Sequence, residues 1–202
     1  MHKSLLSLAV VSLLGWPQLS FGQSQTALVI PHLDKGVIQG KTYRNTVIGL
    51  DLTPDPSLTF EHPEVRDNGT KRESLMVAAV GRATPGSARD GTALGVVALA
   101  YYPEDQRSTD SCMRRVVDAQ LKSGFKSVTS SSKSELGGIT FARTDFSHSD
   151  PPGYEAVFLK ACDALALTVV FSGHDRKTVE KLVAATDLKL DPSLSGCRSQ
   201  AK

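Results

Sequence analysis

The sequence predicts one α+β domain in which two amphipathic helices pack on a single, mainly antiparallel sheet. Two apolar segments of strand length, residues 154–161 and 164–172, follow each other closely in the chain. Two other segments, 109–123 and 175–186, carry apolar residues at helical spacing. Strands outnumber helices and no glycine-rich phosphate loop joins a strand to a helix, so the order favours α+β over a parallel α/β fold.

The two apolar segments flank Cys162 and Asp163 and predict a hairpin. If these two residues form its loop, Ala161 pairs with Ala164 and Phe158 pairs with Leu167. Alternation then places apolar side chains on both faces. One face carries Tyr154, Ala156, Phe158, Leu165, Leu167, Val169 and Phe171, and the other carries Val157, Leu159, Ala161, Ala164, Ala166, Thr168 and Val170. Because water can cover neither face, we expect an inner hairpin of a sheet covered on both sides.

The N-terminus predicts a signal peptide over residues 1–22. A short basic start precedes an apolar core at 5–14, and Ser20-Phe21-Gly22 supplies small residues for cleavage after Gly22. The core is too short to span a bilayer, and an uncleaved N-terminal anchor is the alternative. Export predicts a secreted or periplasmic protein in an oxidising compartment. Removal of one lysine lowers the net charge from +2 to +1, which does not indicate a nucleic-acid partner.

The remaining chain divides into a leader at 23–40, an α+β domain at 41–192 and a C-terminal tail at 193–202. The segment 27–30 of the leader is either a short edge strand or part of a mobile segment. We expect strands at 42–45, 48–52, 74–80, 93–102 and 139–146, and either a strand or a loop at 127–133. The polar segment 62–70 indicates a surface loop, in which Asn68-Gly69-Thr70 fits a turn better than a glycosylation site.

The first helix is expected at 109–123, with Thr109 or Asp110 as its cap, and the second at 175–186, with Asp175 as its cap. Each has one apolar stripe. The first stripe is Met113, Val116, Val117, Leu121 and Phe125, and the second is Val179, Leu182, Val183 and Thr186.

One family resemblance accompanies these patterns. Tyr43-Arg44-Asn45, followed by Ile48-Gly49-Leu50 and Pro54, resembles the opening strands of PsbP-like domains. The closing strand pair and helix resemble the end of that fold. A tryptophan often seen after the proline in that family is replaced at best by Phe60. The resemblance implies an α-β-α sandwich and an exported assembly or accessory factor, and it carries over no functional residue.

The candidate binding corner is His174, Asp175 and Arg176, at the start of the second helix. Free N–H groups at a helix N-terminus attract anions. The competing interpretation, which we favour, is a cap at Asp175 with the basic side chains solvated. Arg114-Arg115 and His148-Ser149-Asp150 are interpreted as a solvated helix face and a polar turn. The histidines and cysteines lack metal-ligand spacing, so we expect no metal and no cofactor.

The three cysteines predict one disulfide, Cys162–Cys197. The second helix must run back along its preceding strand, which returns the tail towards Cys162. Cys112 is then a small buried side chain. Such a bond would stabilise the fold by about 3 kcal/mol on the chain-entropy model.

Two functions remain from the sequence. The first is a monomeric, noncatalytic binding or accessory module whose partner is an unknown protein or envelope component. The second is a small secreted hydrolase with a site assembled from distant residues. The absence of a nucleophile elbow in the sequence favours the first. A convergent acid, base and nucleophile in the fold would favour the second.

Overall fold

The computed structural model describes residues 32–67, 73–81, 92–100, 108–149, 152–162 and 165–191. These residues form two helices and thirteen strands. The helices are α1 (Thr109–Lys122) and α2 (Arg176–Ala185). The strands are β1 (Val37–Gln39), β2 (Thr42–Asn45), β3 (Leu50–Thr53), β4 (Leu58–Phe60), β5 (Glu64–Asp67), β6 (Glu73–Gly81), β7 (Ala93–Ala100), β8 (Lys126–Ser127), β9 (Ser132–Leu136), β10 (Ile139–Ser149), β11 (Pro152–Ala161), β12 (Leu165–Gly173) and β13 (Asp187–Leu190).

The predicted fold class, one sheet flanked by two helices as in an α-β-α sandwich, is wrong. The described chain is mostly β and forms two antiparallel sheets, one of four strands and one of nine. The small sheet has the order β1-β2-β3-β13. The large sheet has the order β4-β6-β7-β12-β11-β10-β8, with β5 also paired to β6 and β9 to β10.

Two segments form strands that the sequence analysis did not predict. No strand was expected between α2 and residue 192, but residues 187–190 form β13, in which Leu188 pairs with Leu52 and Leu190 pairs with Leu50. Alternation places Leu188 and Leu190 on the core face and Lys189 on the other face; Leu188 is fully buried and Leu190 packs partly buried against the same core. The segment expected to be a polar surface loop contains β5, which pairs with β6. Tertiary pairing overrides weak local propensity in both places.

The inner hairpin is present as β11 and β12, and β12 also pairs with β7. Its predicted register is wrong by two residues, because Phe158 pairs with Val169 and Ala161 pairs with Ala166. Residues 163–164 lie outside the described residues. An even shift leaves every side chain on its original face, so the predicted division between the two faces is correct.

The large sheet is covered on both faces. The face of Phe158 and Phe171 shares a core with α2 and with the small sheet, through side chains such as Val179 and Leu52. The opposite face packs against α1. Its core contains Val97, Cys112, Met113, Val116, Phe146, Val157, Leu159 and Val170.

The helices lie where the sequence predicts them, with different details at the ends. Ser108, rather than Thr109 or Asp110, caps α1, because its side chain accepts a hydrogen bond from the Ser111 N–H. Asp175 caps α2 as predicted. Neither helix in the described part of the chain is long and apolar enough to cross a membrane.

The two sheets approach each other closely at Gly137, in the turn between β9 and β10. Gly137 has φ +61°, and a Cβ added there would lie 1.8 Å from the Leu188 carbonyl oxygen of β13. A side chain at this position would therefore clash with backbone, and glycine is required for the contact between the sheets.

Candidate functional site

Two polar clusters lie on opposite faces of β10 and β11. We call Arg143, Asp145, Tyr154 and Glu180 the guanidinium cluster, and Gln120, His148, Glu155 and Ser172 the glutamate cluster. The pairing of Arg143 with Phe158 places the first cluster on the α2 face. The pairing of Glu155 with Phe146 and Ser172 places the second on the α1 face.

The guanidinium cluster attaches α2 to the sheet. Arg143 Nε donates to Asp145 Oδ1 at 2.7 Å, and its Nη2 donates to Glu180 Oε1 of α2 at 2.6 Å. The Tyr154 hydroxyl donates to Asp145 Oδ2 at 2.9 Å. The guanidinium also lies 5.1 Å from the centre of the Phe158 ring, a cation–π contact. One cation therefore fixes two carboxylates on different elements.

The charged groups of this cluster are compensated by hydrogen bonds to one another. Burial lowers the pKa of Arg143, but the hydrogen bonds to Glu180 and Asp145 outweigh burial and raise it. Burial and the neighbouring Asp145 raise the pKa of Tyr154 to about 12, so its hydroxyl remains a donor at neutral pH. Both carboxylates are hydrogen-bonded to Arg143, and Arg176 provides a second positive charge 3.7 Å from Glu180, which favours a structural role.

The glutamate cluster attaches α1 to the opposite face. Gln120 Nε2, from the last turn of α1, donates to Glu155 Oε2 at 2.8 Å. The Ser172 hydroxyl of β12 donates to Glu155 Oε1 at 3.2 Å. His148 of β10 stacks against Phe125, with ring centres 5.1 Å apart. The carboxylate thus receives hydrogen bonds from two neutral groups.

The glutamate cluster has two features that the guanidinium cluster lacks. Burial raises the pKa of Glu155, and the hydrogen bonds from Ser172 and Gln120 and the charge of His148 offset this only in part. Gln120 is 5% exposed, yet its Oε1 accepts no hydrogen bond from the described residues. A partly compensated carboxyl beside an unsatisfied acceptor is a candidate functional site.

The predicted corner of His174, Asp175 and Arg176 is exposed, and the structure shows its cap. Asp175 Oδ1 accepts from the Thr178 N–H at 2.7 Å, and this bond lowers the pKa of Asp175. His174 Nε2 lies 3.3 Å from Asp175 Oδ2, and Arg176 Nε lies 3.7 Å from Glu180 Oε1. The cap carboxylate occupies the place an anion would take. Binding at this corner stays a prediction.

The other predicted residues separate in the structure. His148 joins the glutamate cluster, Ser149 is exposed and Asp150 lies outside the described residues. Arg114 and Arg115 are exposed on α1, as expected for its solvated face.

The described residues test only the part of the cysteine prediction that concerns Cys112. Cys112 is a free, buried thiol, and burial raises its pKa. Cys162 is buried at the end of β11, and Cys197 lies outside the described residues. The Cys162–Cys197 bond therefore stays a prediction, and nonreducing peptide mapping of exported protein tests it. A linked peptide containing Cys112 would contradict it.

Sequence reasoning missed most of the residues in both clusters, although two signals were present. Arg143 and Asp145 share a strand face with the apolar Phe141, and charged residues on such a face indicate buried partners. Glu155 is the one charged residue in the segment 154–159 of the inner hairpin. Gln120 gave no signal, because glutamine is an ordinary residue on a helix.

The comparisons with known proteins add little. No family model matches this chain, and no curated protein matches it. A solved structure from Bacteroides thetaiotaomicron VPI-5482 is similar at 14% identity with a TM-score of 0.40. The match covers 76% of this chain and 49% of that one, so this chain spans about half the length of that structure. A similarity this low carries no argument, and membership of the PsbP-like family stays a prediction.

Proposed function

We propose that this chain is an exported, noncatalytic module that binds a protein partner through the edge strand β1. The observation that carries the proposal is the exposure of two large apolar side chains on this strand. Val37 is 52% exposed and Ile38 is 38% exposed. Side chains on both faces of β1 are exposed, so the strand extends from the body of the domain.

The edge of β1 suits an extended peptide. Within the described residues, β1 pairs with β2 on one side and lies at the end of the small sheet. An edge strand offers unpaired backbone groups to a partner strand, and side chains on alternate positions then supply specificity. Protein partners that add a strand in this way use main-chain hydrogen bonds for affinity.

The strand is held firmly at its base. Gly36 precedes it with φ +62°, and a Cβ added there would lie 2.5 Å from the Arg44 carbonyl oxygen. Ile38 pairs with the fully buried Tyr43. A strand fixed in this way presents its edge with little ordering cost on binding, which favours a recognition role.

Capture from envelope extract tests the proposal. Chain beginning at residue 23 is immobilised, and captured proteins are quantified by mass spectrometry. The doubly substituted Val37→Lys, Ile38→Lys variant should lose a partner that the unsubstituted protein captures. The matched control is Leu121→Lys, Val128→Lys, which changes the other two exposed large apolar residues of the described chain and should retain the partner. Equal capture by both variants, or no specific capture by the unsubstituted protein, would refute binding through β1.

A second candidate, the small secreted hydrolase, is supported by the glutamate cluster. A carboxyl, a hydroxyl and an imidazole come together there at Glu155, Ser172 and His148. Ser172 donates directly to Glu155, whereas an activated serine usually donates to a histidine. For this reason the binding module is preferred. Turnover in an esterase, glycosidase and peptidase screen that Ser172→Ala abolishes and Ser132→Ala leaves intact would reverse the preference.

A further inference from the structure

The amide of Gln120 is the least satisfied polar group in the glutamate cluster. Its nitrogen is committed to Glu155, and its oxygen lies on the same carbon atom, inside the contact between α1 and the sheet. An acceptor buried without a donor destabilises the folded state, because it has lost its hydrogen bonds to water. A group that supplies a donor or a positive charge at this position would remove that cost.

Within the described residues, the Glu155 carboxylate receives its hydrogen bonds from uncharged groups. Glu155 is the one carboxylate of the cluster, and both of its hydrogen-bond donors, Gln120 and Ser172, are neutral. The C-terminal end of α1, which carries partial negative charge, lies beside it. Gly124, just beyond that end, approaches the ring of His148, because a Cβ added there would lie 3.3 Å from His148 Nε2.

We propose that the glutamate cluster binds a small monovalent cationic group, either an alkali-metal ion or a protonated primary amine, through Gln120 Oε1, the Glu155 carboxylate and Ser172 Oγ. These three ligands are all oxygen acceptors, which suits a hard cation or an ammonium group. One carboxylate balances one positive charge. The described residues contain no group of three or more His, Cys, Asp or Glu side chains that could hold a metal ion, so a divalent ion is less well matched.

The residues of the cluster differ in burial. Glu155, Ser172 and His148 are partly exposed, whereas Gln120 of α1 is buried. A small cation can therefore approach the carboxylate from solvent, and it contacts Gln120 Oε1, which is closed to solvent in this structure, once the side chains of the cluster move apart. This proposal is independent of binding through β1.

Nuclear magnetic resonance of the Gln120 side-chain amide tests the proposal on the whole mature chain. Potassium chloride or methylammonium chloride replaces tetramethylammonium chloride at constant ionic strength, since tetramethylammonium has no N–H and is larger than either cation. The expected result is a saturable shift of the Gln120 resonances. Whether potassium or methylammonium saturates at the lower concentration decides between an ion and an amine.

Two variants and one control make the test specific. Glu155→Gln should weaken binding by about tenfold or more, because it removes the charge that the cation meets. Ser172→Ala should weaken cation binding less than Glu155→Gln does. It provides the test if Glu155→Gln does not fold. The matched control, Glu135→Gln, changes an exposed glutamate of β9 and should bind like the unsubstituted protein. No saturable shift in the unsubstituted protein, or an unchanged shift in both Glu155→Gln and Ser172→Ala, would overturn the proposal.

Discussion

The guanidinium cluster and the glutamate cluster share two strands and perform similar mechanical tasks, since each attaches one helix to one face of the large sheet. They differ in how their charged groups are compensated. Arg143 lies between two carboxylates, whereas Glu155 receives only neutral hydrogen bonds. The first arrangement is complete in itself. The second leaves a partly compensated charge and an orphan oxygen, and such incomplete polar groups are where ligands and chemistry are found.

The largest expected effect comes from breaking the guanidinium cluster. Arg143→Met keeps a side chain of similar length but leaves the buried Asp145 and its partner Glu180 without their shared cation. We expect the free energy of unfolding to fall by about 3–5 kcal/mol, because a buried carboxylate loses its counter-charge. Urea unfolding followed by circular dichroism measures it.

A matched surface pair sharpens this prediction. Arg44 also forms two hydrogen bonds to one aspartate, Asp51, but both side chains are exposed. Arg44→Met should therefore leave the free energy of unfolding almost unchanged, because exposed ion pairs contribute little. Similar losses for the two arginine variants would contradict a special role for burial in the guanidinium cluster.

A glutamate-to-glutamine change in each cluster should have opposite effects. Glu180→Gln removes a charge that faces Arg143, and we expect a loss of about 1 kcal/mol because Glu180 is partly exposed. Glu155→Gln removes a charge that burial disfavours, and it should preserve or raise stability at neutral pH. Chemical unfolding of both variants in parallel measures the difference.

The comparison of Glu155→Gln with the unsubstituted protein also predicts how stability depends on pH. Because folding raises its pKa above the ordinary value of 4.5, the stability it contributes is present below that value and is lost as pH rises through the raised pKa. The stability of Glu155→Gln relative to the unsubstituted protein should therefore increase with pH across this window. A constant difference between the two proteins would show that Glu155 has the same pKa in both states.

The smallest expected effect is at the predicted corner. Asp175→Ala removes the cap of α2 and should lower thermal stability modestly, while Asp175→Ser should restore most of the loss because serine also caps helices. The effect should be smaller than that of Arg143→Met, since the cap is exposed. If Asp175→Ala instead raised stability, the cap would not be the main role of this residue.

The sequence predicted the elements better than their assembly. Apolar spacing located both helices, and alternation assigned the two faces of the inner hairpin, because these patterns are local. The second sheet was missed because β13 pairs with β3, which lies more than 130 residues earlier in the chain. A local sequence pattern does not predict which distant strand a segment pairs with. The hairpin register was missed because the predicted and observed pairings differ by two residues and place every side chain on the same face, so the apolar pattern does not distinguish them.

The candidate site was predictable only in part, for similar reasons. Glu155 was visible as a charge within an apolar strand, but its partners Gln120 and Ser172 come from α1 and β12. Their convergence depends on which helix covers which face. His148 was identified as a polar residue of a turn, and its place beside Glu155 follows from the antiparallel pairing of β10 with β11.

The most direct test of the difference between the clusters is the titration of the Glu155 carboxyl, observed by carbon-13 nuclear magnetic resonance in tetramethylammonium buffer. If burial leaves this charge only partly compensated, the midpoint of the titration lies above the ordinary value of 4.5. A midpoint at or below 4.5 would mean that its neighbours compensate the charge fully. The charge of the glutamate cluster would then be as fully compensated as that of the guanidinium cluster, and the proposed difference between the two clusters would be wrong.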